Sequence, residues 1–165
     1  MHCTKTVFLS FIFLLLTEQV LALATDREQP IQIEADKATI DNNKGLAIYE
    51  GNVIVTQGSI RIHAHTVTLN YTEGKQIEKV IATGNPARFK QTPEGGKDDI
   101  KAKAQRMEYN ASLNVLHLTQ EAELRQAQDS FVGQHIMYDT QRGVIKADKG
   151  KSEQGRIKVT IQPRK

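Results

Sequence analysis

A chain of 165 residues carrying 22 Lys and Arg against 19 Asp and Glu, for a net charge of +3, is the size of one ordinary folded unit. One cysteine, four Tyr, five Phe and no Trp exclude a disulfide framework, a thiolate zinc cluster and the aromatic stacking platforms of single-strand nucleic-acid binders.

Residues 1–24 read as a secretory signal. Lys5 gives a basic start, Val7–Leu16 is a ten-residue run with nine apolar members, and Ala22-Leu23-Ala24 fits small-x-small cleavage. The run falls short of the roughly 20 apolar residues that span a bilayer. Cleavage after Ala24 removes Cys3 and leaves residues 25–165 as a single domain without cysteine.

The chain then alternates. Ile31, Ile33 and Ala35, followed by Ala38 and Ile40, have the period of two that marks a strand. Asp41–Gly45 breaks the pattern with turn-forming residues, and Leu46–Tyr49 resumes it. A Glu50-Gly51-Asn52 turn precedes the β-branched run Val53–Thr56. Further strands are expected at Ser59–Tyr71, Ile77–Thr83, Ala87–Phe89, Ile100–Tyr109, Asn114–Leu118, Ala122–Ala127, Ser130–Tyr138, Gly143–Ala147 and Arg156–Gln162, with a loop at Gln91–Asp99. Short turn-bounded strands, roughly 15 of about 4–7 residues, predict an all-β sandwich, jelly roll or solenoid rather than a helical fold. The core residues are mostly Ala, Val and Ile, which fit either a narrow closed sandwich or two sheets that splay around a groove.

The strand phrase repeats. Ala35, Ala64, Ala104 and Gly133 are each followed three residues later by Ala38, Val67, Met107 or Ile136, and five later by Ile40, Leu69, Tyr109 or Tyr138. Ile33, Ile62, Ala102 and Phe131 stand two residues before. The step of three between period-two runs predicts a bulge or corner in each copy. Such repeats imply stacked units that share one core.

Groups able to carry chemistry are sparse. His63, His65 and His135 lack the further ligands that zinc requires and read as solvated strand positions. Glu34 with Asp36, and Asp98 with Asp99, are ordinary carboxylates of a strand face and a loop. No nucleophile elbow or phosphate loop is present, so neither a catalytic residue nor a metal or other cofactor is expected. Charge is polarised along the mature chain, with −3 over residues 25–60 and +5 over residues 146–165. The basic end suits a partner protein or an anionic lipid better than nucleic acid, which an exported protein rarely meets.

Three segments carry a family resemblance: Gln29–Asp36, Tyr49–Gly58 and Gly84–Phe89. In order along the chain, they resemble the OstA-like family of periplasmic lipopolysaccharide transport proteins. The resemblance implies an open, twisted, V-shaped β-jelly roll whose apolar groove carries the lipid A acyl chains of lipopolysaccharide. It also implies head-to-tail self-stacking in the periplasm. An LptC-type inner-membrane subunit is then expected at the N-terminal edge and an LptD-type outer-membrane subunit at the C-terminal edge. By resemblance and strand parity, Ile31, Ile33, Phe89, Met107 and Tyr109 are expected to line the groove, with Ile40, Leu69 and Tyr138 beside them. An OstA-like module of another transport component, or a non-catalytic β-solenoid that binds envelope polysaccharide, is the alternative.

Overall fold

The period-two alternation produces ten strands: β1 (Gln32–Glu34), β2 (Lys37–Asp41), β3 (Leu46–Gln57), β4 (Ile60–Tyr71), β5 (Ile77–Gln91), β6 (Ile100–Asn110), β7 (Val115–Gln126), β8 (Asp129–Asp139), β9 (Val144–Asp148) and β10 (Lys158–Thr160). A 3-10 turn at Asp26–Glu28 precedes them. The structure, a computed structural model, describes residues 26–93, 98–150 and 155–163. The expected signal, residues 1–24, and residues 94–97 of the expected Gln91–Asp99 loop lie outside the described residues.

All pairings are antiparallel, in the order β1-β3-β4-β5-β6-β7-β8-β10, with β2 also on β3 and β9 also on β8. Strands are fewer and longer than the sequence suggests. Leu46–Tyr49 and Val53–Thr56 are one strand of 12 residues, as are Asn114–Leu118 and Ala122–Ala127 apart from their end residues. The expected break at Gly84-Asn85-Pro86 lies inside β5, where the Asn85–Pro86 bond is cis. Gly51 and Asn52 on β3, and Gln120 and Glu121 on β7, adopt positive φ and absorb a bulge without ending the ladder. What looks like a turn in the sequence is a bend in a continuing strand.

Those bends align. Register shifts fall between Glu50 and Val53, His63 and Thr66, Thr83 and Ala87, Lys103 and Arg106, and Thr119 and Ala122. They form a crease across the sheet, lined by the small residues Ala64, Ala87, Ala104, Ala122 and Gly133 with Val53 at its end. Small side chains let the two halves approach there. Apolar residues from both sides of the crease belong to one core cluster, so each half of the sheet covers the other. The repeated phrase thus occupies β4, β6 and β8, and the split pair β1/β2 fills the place of a first copy.

Local side chains build the turns. Asp41 Oδ1 accepts from the Asn43 and Lys44 N–H groups, and Asp139 Oδ1 from those of Gln141 and Arg142. Asn110 Oδ1 accepts from Leu113 N–H. Gly45, Asn114 and Gly143 then take φ of 59°, 58° and 70° to return the chain, the left-handed geometry that Gly and Asn tolerate.

Candidate functional site

The inner face is a set of apolar rows that run across the strands. On one side of the crease, the row Ile33, Val55, Ile62, Phe89, Ala102, Leu124, Phe131 and Val159 is continuous in register. On the other side, Val67, Ala82, Met107, Leu118 and Ile136 form one row. Leu69, Val80, Tyr109, Leu116 and Tyr138 form the next. No described residue in these rows is charged, and the buried residues are all hydrophobic.

Exposure rises away from the crease. On β5 it goes from 0% at Ala87 to 8% at Phe89, and the same direction holds from Val67 to Leu69, Ala104 to Ala102, Leu118 to Leu116 and Ile136 to Tyr138. Leu124 and Ile100 remain fully buried. The interior is therefore fully closed at the fold line and slightly more open along most strands beyond it, with Ile100 and Leu124 as closed points.

Six of the eight expected groove residues meet on this face. Leu69, Phe89, Met107 and Tyr138 are buried in the core cluster, and Ile33 and Tyr109 pack against it half-buried. Burial raises the Tyr138 hydroxyl pKa, with a smaller contribution from Asp139. Ile31 and Ile40 stand exposed at the N-terminal edge, Ile40 in register with Ala47 and through it with Leu69. Apart from Phe89 on β5, sequence reasoning named residues of the repeated copies and missed their neighbours on β3, β5 and β7, such as Val55, Val80, Leu118 and Leu124, which lie on the same rows.

The outer face carries polar pairs. His63 and His65 are exposed, whereas His135 joins a chain that parity alone did not reveal. His117 Nδ1 lies 3.0 Å from His135 Nε2, and His135 Nδ1 lies 2.9 Å from Asp148 Oδ2. Burial, then the neighbouring His135, holds the His117 pKa below its ordinary value. The His135 hydrogen bond does the same for Asp148. This chain ties β9 to β8. Among the described residues no three His, Cys, Asp or Glu side chains converge as metal ligands.

Both lateral edges are split. The N-terminal edge is β1 and β2, and the opposite edge is β9 and β10. The exposed large apolar residues concentrate there, with Ile31 and Ile40 at one edge and Val144, Ile157, Val159 and Ile161 at the other.

The family described as "LptA/(LptD N-terminal domain) LPS transport protein" matches residues 32–144. Lipopolysaccharide export system protein LptH of Pseudomonas aeruginosa is 39% identical over 154 residues, covering 90% of this chain and 88% of LptH. Lipopolysaccharide export system protein LptA of Escherichia coli K12 is 36% identical over 133 residues, 79% of this chain and 71% of LptA. The crystal structure of LptH, the LptA homologous periplasmic component of the P. aeruginosa lipopolysaccharide transport device, matches with a TM-score of 0.77 over 85% of this chain and 100% of that one. With sequence and folded sheet in agreement over most of its length, the chain belongs to the LptA/(LptD N-terminal domain) family of lipopolysaccharide transport proteins.

Proposed function

We propose that the chain is a periplasmic lipopolysaccharide carrier that holds lipid A acyl chains between the two halves of its sheet. The observation that carries this reading is the uncharged apolar inner face, continuous in register from one edge of the sheet to the other. An acyl chain gains about 0.8 kcal/mol per buried methylene, so a ten-carbon length gains about 8 kcal/mol before ordering costs. The eight residues Ile31, Ile33, Ile40, Leu69, Phe89, Met107, Tyr109 and Tyr138 contribute apolar contacts on this path. Residues 1–24 act as a cleaved export signal, and residues 25–165 work as one domain. Catalysis, cofactors and nucleic acid have no part in it.

The edges supply assembly. Strand ends of β1/β2 and β9/β10 offer unpaired backbone groups to another chain, and the exposed isoleucines and valines beside them add apolar area. Pairing unlike edges continues the inner face from copy to copy and propagates instead of closing. An LptC-type subunit docks at the N-terminal edge and an LptD-type subunit at the opposite one, so that cargo moves along a bridge.

The test is acyl dependence. Mature protein should bind lipopolysaccharide and release it to competing acylated lipid A, while deacylated lipopolysaccharide fails to compete. Equal competition by the deacylated glycan would overturn the carrier reading in favour of a polysaccharide binder.

A further inference from the structure

Four cations stand in one row on the outer face. In register, Arg61 lies opposite Lys90, Lys90 opposite Lys101, and Lys101 opposite Arg125. The next row on the same face, one step toward the crease, is His63, Arg88, Lys103 and Glu123. Like charges directly opposite one another weaken strand pairing, so folding itself gives no reason for this row. Between the rows lies a depression of about 510 Å³ lined by residues of both rows together with Phe89 and Ala102.

Neutralisation is incomplete. Lys90 pairs with Asp99 at 3.0 Å, and Glu123 is shared between Lys103, at 2.7 Å, and Arg125. Among the described residues Arg61, Arg88 and Lys101 form no ion pair; Arg61 Nη1 is steadied by the Gly58 and Ile60 carbonyls, each at 2.8 Å. Both carboxylates remain charged. Hydrogen bonds from Thr92, then Lys90, lower the Asp99 pKa, and at Glu123 those from Lys103 and Arg125 outweigh the upward push of burial. Six cations thus face two anions.

The row sits at the rim. Arg61, Lys90, Lys101 and Arg125 each lie one residue inside a strand end, at Ile60, Gln91, Ile100 and Gln126. These ends are on the side away from the crease. The rim of the other half is mixed, with Asp41 paired to Lys44 and Asp139 to Arg142. The two lips of the interior are therefore electrostatically unlike.

We propose that this cationic row is a headgroup site, binding the phosphate groups of the amphiphile whose acyl chains enter between the sheet halves. The assignment rests on the carrier reading above and deepens it. Four strands span roughly 14 Å, wide enough for two phosphates on one headgroup. Arg and Lys on long stems reach past one residue of rim, and a phosphate supplies the two or more acceptor oxygens that a guanidinium fork takes. With an excess of cations on this lip and mixed charge on the other, the cargo rides in one orientation, its anionic head against β4–β7.

The test compares bisphosphorylated lipid A with its dephosphorylated counterpart of identical acyl chains, titrated into mature wild type and into R61Q/K101Q. Wild type should prefer the phosphorylated form by about tenfold or more, the scale of two charge-assisted contacts, and added salt should shrink that preference. R61Q/K101Q should lose the preference while binding the dephosphorylated lipid as wild type does. R61K/K101R should restore it. Thermal melting should show the double Gln variant no less stable than wild type, because it removes like-charge neighbours. Equal wild-type affinity for both lipids, or an unchanged preference in R61Q/K101Q, would overturn the headgroup site and leave the carrier reading standing. Failure of wild type to bind either lipid would overturn both. A preference for vesicles of anionic phospholipid, lost in R61Q/K101Q without any difference between the lipid A pair, would reassign the row to a membrane surface.

Discussion

Two truncations separate core from groove. Leu118 is fully buried beside the crease, flanked in register by Met107 and Ile136. Phe89 is 8% exposed one step farther out, between Ile62 and Ala102. Leu118→Ala leaves a closed cavity and should cost about 3–4 kcal/mol. That is a large part of a typical 5–15 kcal/mol stability, and roughly 10–15 °C in Tm for a chain of this size. Phe89→Ala truncates a core-cluster side chain at the looser side of its row, so about 3 kcal/mol is expected, the low end for such a change. Its lipid affinity should fall as well, since burying a phenyl ring against acyl chains is worth about 1.5–3 kcal/mol, or roughly 10- to 100-fold. Urea unfolding at constant m, paired with lipid A competition on the folded variants, measures both quantities. Leu118→Ala should retain near wild-type affinity wherever it is folded. If Phe89→Ala matches the stability loss of Leu118→Ala and binds lipid normally, Phe89 is plain core and the interior is not the lipid path.

Three other predictions follow from particular contacts. Gly51 has φ +79°, and a Cβ there would come within 2.8 Å of the Asp36 Cβ, so Gly51→Ala should cost about 1–3 kcal/mol, and hydrogen exchange should show loosening of β1 and β2 first. The His117 pKa is depressed on folding, so the unfolded chain takes up a proton there before the folded chain does. Its contribution to stability is full above pH 6.5, the ordinary value, and is lost as pH falls below it; His117→Gln should flatten that part of the urea-midpoint profile. Truncation after Gly155 removes β10, which pairs only with β8, and light scattering should then show a folded monomer that has lost concentration-dependent association yet still binds lipid. A wild type that scatters as a constant monomer up to the millimolar range would defeat head-to-tail stacking.

Much of this fold was legible because strand parity is a local signal. The small residue at Ala64, Ala104 and Gly133, with apolar partners three and five later, marked the crease and both inner rows before any pairing was known. The strands nearest the two chain ends, β1 and β10, do lie at the sheet edges, but that β2 and β9 share those edges is visible only in the pairing. Strand length did not: Glu50-Gly51-Asn52 has the composition of a hairpin, and only the ladder on β4 keeps it within one strand. The cationic row was hidden for a different reason. Arg61, Lys90, Lys101 and Arg125 are far apart in sequence and sum with nearby acids to little net charge, and registration across four strands is what joins them. The His117–His135–Asp148 chain likewise needs the β7–β8–β9 register to exist.

The central claim is that acyl chains lie between the sheet halves, and in-cell photo-crosslinking by strand parity tests it most directly. A photoreactive residue at 69, 89 or 109 faces inward, whereas one at 68, 81 or 117 faces outward on the same or adjoining strands. The account predicts lipopolysaccharide adducts from the inward set, abolished when lipid synthesis is blocked, and none from the outward set. Adducts of equal yield from both sets, or from the outward set alone, would contradict it.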